Sequence, residues 1–431
     1  MILSNQSFSW LDLTPNQWEI DKVKDHFYFS DIQTENFDNY PVLSLTMTGV
    51  KKRNMDTNKG QLPESYEKYN LVDSSCLVFN PMDLISGWVD VPKTEGLISP
   101  SYRTIKLRSD KTNLNFIKYY FQSLYKEKVL FHFGEGVHYE YRWGLGKETL
   151  KNFPIPIPPK EEQNQIVSYL DKKVHQTDEL IKKIEQKIEL LKEQRNSLIN
   201  EVVTQGLNPN VEMRNSGIEW IGEIPSHYQM IPIKFLVTTP VSDGPHETPQ
   251  FIDGGGIPFL SVEGVVGNKI DFKKVRGYIS KELHEQYSKK CKPIRNDVLL
   301  VKSGSTTGKS TIVETDLEFN IWSPLCVIRS DTNKIIPRFT FQTFQSGYFQ
   351  LLIENNWSYG TQPNIGMGVI ENLRIVVPPL SEQQQIVEYL DEKTQLIERT
   401  ISIEEKRTKL LKEYKQSLIF EVVTGKKRVV G

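Results

Sequence analysis

The sequence predicts an α+β protein in which two β-rich α/β domains are separated by two long helices. The helices are expected to pair as an intramolecular antiparallel coiled coil, giving a pseudo-twofold internal repeat. Three observations carry this. One segment recurs later in the chain in constant register, each copy runs into a heptad pattern, and each is preceded by short β-favouring runs bounded by turn residues. At 431 residues the chain is long enough for two separate cores. The expected division is 1–151, globular; 152–213, helical; 214–371, globular; 372–431, helical.

The chain is written twice, with a period far longer than one secondary-structure element. NFPIPIPPKEEQNQIVSYLDKK from Asn152 recurs as NLRIVVPPLSEQQQIVEYLDEK from Asn372, and LLKEQRNSLINEVVT from Leu190 recurs as LLKEYKQSLIFEVVT from Leu410. Both pairs keep one offset of about 220, far beyond any solenoid period. Weaker echoes precede them: TPNQWEI and IPSHYQM, CLVFNP and LLVKSG, Ser99-Pro100 and Ser323-Pro324, Phe121-Gln122-Ser123 and Phe344-Gln345-Ser346. Their offset drifts, as insertions in loops would make it drift.

The tails are helical by period. Pro158-Pro159 and Pro378-Pro379 suit a helix entry, and Glu161, Glu162 and Glu382 follow where the positive helix end favours acids. Leu170, Val174, Ile181, Ile184, Ile188, Leu191, Leu198 and Val202 alternate in steps of four and three, with Thr177 and Arg195 in the seam. The second tail repeats this through Leu390, Ile397, Ile401, Leu411, Leu418 and Val422. Glu404 and Thr408 interrupt it, while Leu396, Ile403 and Leu410 are expected to widen the stripe. About 40 residues make a rod of roughly 60 Å. Pairing between separate molecules is the alternative, but pairing within the chain explains why helix and domain are duplicated together.

The globular segments carry PVLSLTMTGV, SCLVFNP, IPFLSVEGVV, DVLLVKSG and PLCVIRS, with a helical patch at NFIKYYFQSLYKE. Basic and aromatic residues gather at expected turns: Lys51-Lys52-Arg53, Lys273-Lys274-Arg276, Lys289-Lys290-Lys292, and 139–143 (YEYRW). Lys and Arg neutralise phosphates, and Arg, Asn and Gln pair with base edges. Any single cluster is more often a solvated loop.

Composition sets the bounds. Charged residues make up 25% and hydrophobic residues 38%, the balance of a soluble globular protein. No apolar run reaches the ~18–20 residues that span a bilayer, and MILSNQSFSWLDLTPNQW lacks the basic and apolar regions of a secretory signal. Cys76, Cys291 and Cys326 are scattered and odd in number, which points to a reducing cytoplasm. The net charge of −1 gives no basic excess, so nucleic-acid binding would rest on where the charges sit.

Five stretches then point to a family: SGIEWIGEIPSHYQ from Ser216, DGPHETPQF from Asp243, DVLLVKSGSTTGKSTIV from Asp297, GTQPNIGMGVIENL from Gly360, and the paired PPxxEQxxI segments. In this order the chain resembles type I restriction–modification specificity subunits over nearly its whole length, most weakly in the first globular segment, where GLISPSY remains. The resemblance implies two target-recognition domains, each reading half of an interrupted double-stranded DNA site, with the helices setting the spacer. It implies two methyltransferase subunits as partners and two restriction/motor subunits for cleavage. S-adenosylmethionine, ATP and magnesium would belong to those partners and none to this chain, with the complex in the cytoplasm.

By position and chemistry, the expected DNA contacts are Lys52, Arg53, Asn80, Tyr139 and Arg142 in the first domain. In the second they are His246, Lys302, Ser303, Thr306, Lys309, Gln362 and Asn364. Helix surfaces at 163–173 and 383–393, with Gln163, Tyr169, Gln383 and Tyr389, are the expected methyltransferase docking faces.

Catalytic alternatives lack their parts. GSTTGKS at Gly304 has three residues between its glycines where a phosphate-cradling loop needs four, and TIVETD beyond it looks extended. Asn80-Pro81-Met82-Asp83 only partly matches the motif that holds a flipped adenine. No acidic cluster with lysine suggests a nuclease, and His227 and His246 stand isolated. A coiled-coil scaffold and a self-sufficient methyltransferase are the competing functions.

Overall fold

The heptad runs fold as two uninterrupted helices, Lys160–Gln205 and Leu380–Val423, in a computed structural model. It describes residues 10–429 apart from 13, 36, 55–64, 86, 139–141 and 361. Each helix follows its Pro-Pro pair and stops at a glycine in the left-handed region, Gly206 at φ +76° and Gly425 at φ +79°. A side chain at these stops would meet the Tyr228 hydroxyl or the Pro15 ring, so glycine is required twice over.

The chain divides into two compact units, 1–185 with 406–431, and 186–405. Each takes part of both long helices, so the units do not follow the serial order of domain and spacer along the chain. In the first unit Lys415 meets Asp178 at 2.5 Å and Lys412 meets Glu185 at 3.0 Å. In the second, Lys187 meets Glu404 at 2.6 Å and Arg195 meets Glu398 at 3.4 Å. Within each unit one residue number rises as the other falls, so the helices run antiparallel. Thr177, Ile181, Ile184 and Thr408 are buried in the first unit's seam, and Ile188, Ile401 and Glu404 in the second's. Glu404 therefore sits in the seam as a charge met by lysine, a device that selects register rather than adding stability. The expected widening of the stripe is not seen: Leu396, Ile403 and Leu410 are 62%, 56% and 63% exposed, because the helix is in contact along one narrow seam only.

The first unit builds a four-stranded antiparallel sheet in the spatial order Phe27–Phe29, Arg103–Leu107, Cys76–Phe79, Val89–Asp90. All four residues of the central Cys76–Phe79 strand are buried, and their alternation serves two cores. Leu77 and Phe79 pack with Phe116, Tyr120, Ile166 and Leu418, while Cys76 and Val78 pack with Leu43 and Ile98. A strand covered on both faces reads as a continuous apolar run, which is why CLVF does not alternate with polar residues. Glu19–Lys22 pairs with Pro154–Ile157 as a separate two-stranded ribbon leading into the long helix, where two prolines are tolerated because no third strand needs their missing donors.

The second unit repeats this order with Ser242–Asp243, Leu325–Ile328, Val298–Val301 and Ser310–Ile312. Val298 and Leu300 face the helical core with Phe339, Phe344 and Ile386, and Leu299 and Val301 face a smaller core with Leu260 and Phe319. Gln229–Pro232 pairs with Arg374–Val377, as its counterpart does in the first unit. What differs is the outer layer. The first unit has a hairpin of Leu43–Thr46 with Gly49–Lys52 and a separate antiparallel pair of Asn70–Val72 with Gly96–Ile98. The second has Gly277–Ile279, Ile257–Leu260 and Asn320–Ile321 side by side, the last two parallel, and a helix at Lys281–Ser288.

The helix against each sheet also differs. Leu114–Lys126 is continuous, whereas its counterpart breaks into Pro337–Gln345 and Gly347–Glu354. At the break Ser346 is extended and its side chain accepts from Phe349 N, and Phe344 stacks on Phe349 at 4.1 Å. Both helices dock on the long helix through equivalent acids. Tyr119 donates to Asp171 at 2.6 Å, and Arg338 and Gln342 donate to Asp391 at 3.0 and 2.8 Å.

Candidate nucleic-acid interface

In the second unit the basic residues are organised by a carboxylate. Asp243 ends the short Ser242–Asp243 strand, where pairing with Cys326 holds it inside, fully buried. Lys290 Nζ lies 2.6 Å from its Oδ1, and Lys302 Nζ and His246 Nε2 lie 3.2 and 3.1 Å from its Oδ2. Burial alone would push this carboxyl up, but hydrogen bonds and charge from Lys290 and Lys302 outweigh it and hold the group below the usual carboxylate range. Lys302 is itself buried, while the heads of His246 and Lys290 remain open, at 70% and 55% exposure. The result is a fixed cluster of donors with one charged anchor beneath it.

The turn after Val298–Val301 carries the next group. Lys302 N donates to Pro324 O, and Lys302 O accepts from Ile365 N. Ser303 bridges Asn364, Gly304 N donates to Pro363 O at 3.0 Å, and the Thr307 hydroxyl donates to Gly304 O and Pro363 O. The Gln362 amide oxygen lies beside Gly304. Lys302, Ser303, Thr306, Gln362 and Asn364 are thus gathered where two distant segments meet, with exposed Lys309 at the foot of the turn. The turn feeds the strand Ser310–Ile312. It therefore has no helix N-terminus for a nucleotide phosphate.

In the first unit Asn80 directly follows Cys76–Phe79, as Lys302 follows Val298–Val301. Its side-chain oxygen accepts from Met82 N, and its carbonyl accepts from the buried Tyr125 hydroxyl at 2.7 Å. Lys52 ends the exposed edge of the Gly49–Lys52 strand and Arg53 follows it, with its N–H bonded to Val42 O. Asp90 supports this hairpin, accepting from Val50 N at 2.9 Å. Arg142 lies in the strand Arg142–Gly144, paired with Glu135–His138; its side chain, like Tyr139, lies outside the described residues.

The expected docking glutamines do something else. Gln163 and Gln383 are fully buried. Gln163 donates to Lys111 O and Pro158 O and accepts from Asn113 N. Gln383 donates to Lys334 O and Pro378 O and accepts from Ile336 N. Each staples the start of a long helix to the loop that begins the sheet-packing helix, which corrects their assignment to a partner. Gln383→Leu would leave two carbonyls and one N–H without their partner at this partly buried junction, and a loss of about 1–3 kcal/mol is expected, measurable as a lower denaturant midpoint. Tyr169 and Tyr389 are half-buried against the two cores. Beside Tyr169, Gln165, Ser168 and Lys172 line an open hollow of about 620 Å³.

Asp243 is not legible in the sequence as the organiser of this cluster. The available signal was an acid between a β-run and Gly-Pro, with the basic cluster around Lys290 elsewhere. Among the described residues no group of three or more His, Cys, Asp or Glu could hold a metal ion, and no helix is long and apolar enough to cross a membrane.

Comparison with known proteins adds a family. The model of the type I restriction modification DNA specificity domain matches residues 91–190 and 242–413, more than half of the chain. The type I restriction enzyme MjaVIII specificity subunit of Methanocaldococcus jannaschii is 25% identical over 288 residues, covering 66% of this chain and 64% of that one, just under two thirds of its length. The EcoBI specificity subunit of Escherichia coli is 25% identical over 405 residues, covering 89% and 79%. In fold the chain is similar to one in a solved structure described as the basis of complex assembly and conformational transition of the type I R-M system. That likeness has a TM-score of 0.70 at 15% identity and covers 95% of this chain and 98% of that one.

Proposed function

Since the chain belongs to the type I restriction modification DNA specificity domain family, we propose that it is the non-catalytic specificity subunit of a type I restriction–modification complex. Each unit reads one half of an interrupted duplex sequence. Lysines and arginines set the domain on the backbone, and polar loop residues address base edges. Two methyltransferase subunits dock on the long helices, and two restriction/motor subunits join them for cleavage, in the cytoplasm. Adenine N6-methylation uses S-adenosylmethionine on the methyltransferase, and ATP and magnesium serve the motor and nuclease. The long helices set the spacer between half-sites.

One observation carries this proposal. The same sheet order is built twice in one chain while the outer layers differ, as expected of two readers of different sequences on a common frame. The test is to combine the purified chain with its cognate methyltransferase and S-adenosylmethionine and to map methylated adenines by sequencing. One bipartite motif is expected, and exchanging 214–371 for the same segment of a relative should change one half-site only. Methylation without sequence preference, or selectivity untouched by the exchange, would leave a scaffold.

A further inference from the structure

Five arginines lie between residues 214 and 371, and four are engaged within the fold. Arg214 donates to the carbonyls of Ser226 and Tyr228. Arg295 is paired with Asp316, Arg329 with Asp297, and Arg338 with Asp391 and Glu314. Arg276 differs. Its guanidinium carbon sits 3.5 Å from the centre of the Trp322 ring and the residue is exposed; its charge reaches the Glu263 carboxyl, but no hydrogen bond or salt bridge holds its side chain among the described residues.

From this contrast we infer that Arg276, held flat on Trp322, reads a guanine in the half-site recognised by the second unit. The inference rests on the proposed function and names one of its specificity residues. Two features aim the pair at DNA. The first is position. Trp322 N is bonded to Leu260 O, Ser323 N to Pro245 O next to His246, and Pro324 O to Lys302 N. Residues 322–324 therefore link the stacked arginine to the cluster around Asp243 and the turn at 302–309.

The second feature is chemistry. A guanidinium is a planar fork whose two parallel N–H groups match O6 and N7 of guanine in the major groove. Phosphate needs only a point charge, which exposed Lys273 and Lys274 already supply on the same loop. An aromatic platform adds little to a phosphate contact, but it orients a fork before binding and reduces the side-chain freedom lost on contact. The backbone is held as well, since Arg276 N donates to Phe259 O at 3.0 Å just ahead of the strand Gly277–Ile279.

The test uses the full chain in complex with its methyltransferase, comparing kcat/KM for methylation of the recognised duplex and of each single-base variant. For Arg276→Ala, preference for guanine at one position of the second unit's half-site should fall by about 5- to 150-fold, the value of one bidentate contact. The other half-site should be read as before. Arg276→Lys keeps the charge but not the fork and should fail alike. Trp322→Leu should weaken the same position, and unchanged reading of the other half-site shows that the complex is assembled.

A uniform loss across all sequences, with the salt dependence reduced by about one phosphate contact, would assign Arg276 to the backbone and overturn the inference. So would base preference unchanged in Arg276→Ala, with the proposed function intact. A wild-type complex that methylates without sequence preference would instead remove the proposed function itself.

Discussion

A four-residue insert in each long helix, near 185–186 in Lys160–Gln205 and near 405–406 in Leu380–Val423, where each passes from one compact unit to the other, is expected to change the spacer and spare the half-sites. Each insert adds about 6 Å of rise and about 400° of rotation, close to a whole turn, so seam residues on either side still face their partners. Base pairs rise about 3.4 Å, so the preferred spacer should lengthen by about two pairs. Methylation of the original site should fall by about a thousand-fold or more, because a displaced half-site mismatches several base pairs at roughly 1–3 kcal/mol each. Sequencing of methylated DNA reads both results. A spacer unchanged in the variant would sink the ruler idea.

The second large effect is expected at Asp243. Asp243→Ala leaves Lys302 buried without its counter-charge, and removing one partner of a buried pair costs about 3–5 kcal/mol. The half-exposed Lys290 can turn to water, which puts the expectation near the lower end. The double variant Asp243→Ala/Lys302→Met should recover most of the stability in denaturant unfolding but not the reading of the second half-site. Recovery of both would make the cluster purely structural. The sign of the pH dependence follows from the lowered carboxyl. The stabilisation is complete above the unfolded carboxyl's value of about 3.9 and is lost as pH falls through the lower folded value. Acid unfolding below about pH 4 should therefore be steeper in the wild type than in the double variant.

How far the sequence could be read depended on the range of the interactions. The long helices were legible because a heptad is a local pattern and the Pro-Pro entry is a local signal. CLVF and DVLLV were legible as strands for the same reason. Their equivalence survived loop insertions because both carry the central, doubly covered position of the same sheet. Which face of a wide apolar stripe would be buried was not legible. Leu396, Ile403 and Leu410 continue the pattern yet face outward, since only contact with the other helix selects the seam. Gln163 and Gln383 looked like surface residues of an amphipathic helix. Their role depends on Asn113 and Ile336, about fifty residues upstream in each half and invisible to any periodicity.

The sequence by itself determined the duplication, the two helices and the α+β class, because each follows from recurrence or from spacing along the chain. Tertiary structure alone decided which charges act together. Asp243, Lys290 and Lys302 are distant in sequence, and only the antiparallel pairing of Val298–Val301 with Leu325–Ile328, and of that strand with Ser242–Asp243, brings them within ion-pair distance. The same holds for Arg276 on Trp322. Local preference operates over a few residues, whereas a site is made by side chains that meet only after the sheet has closed.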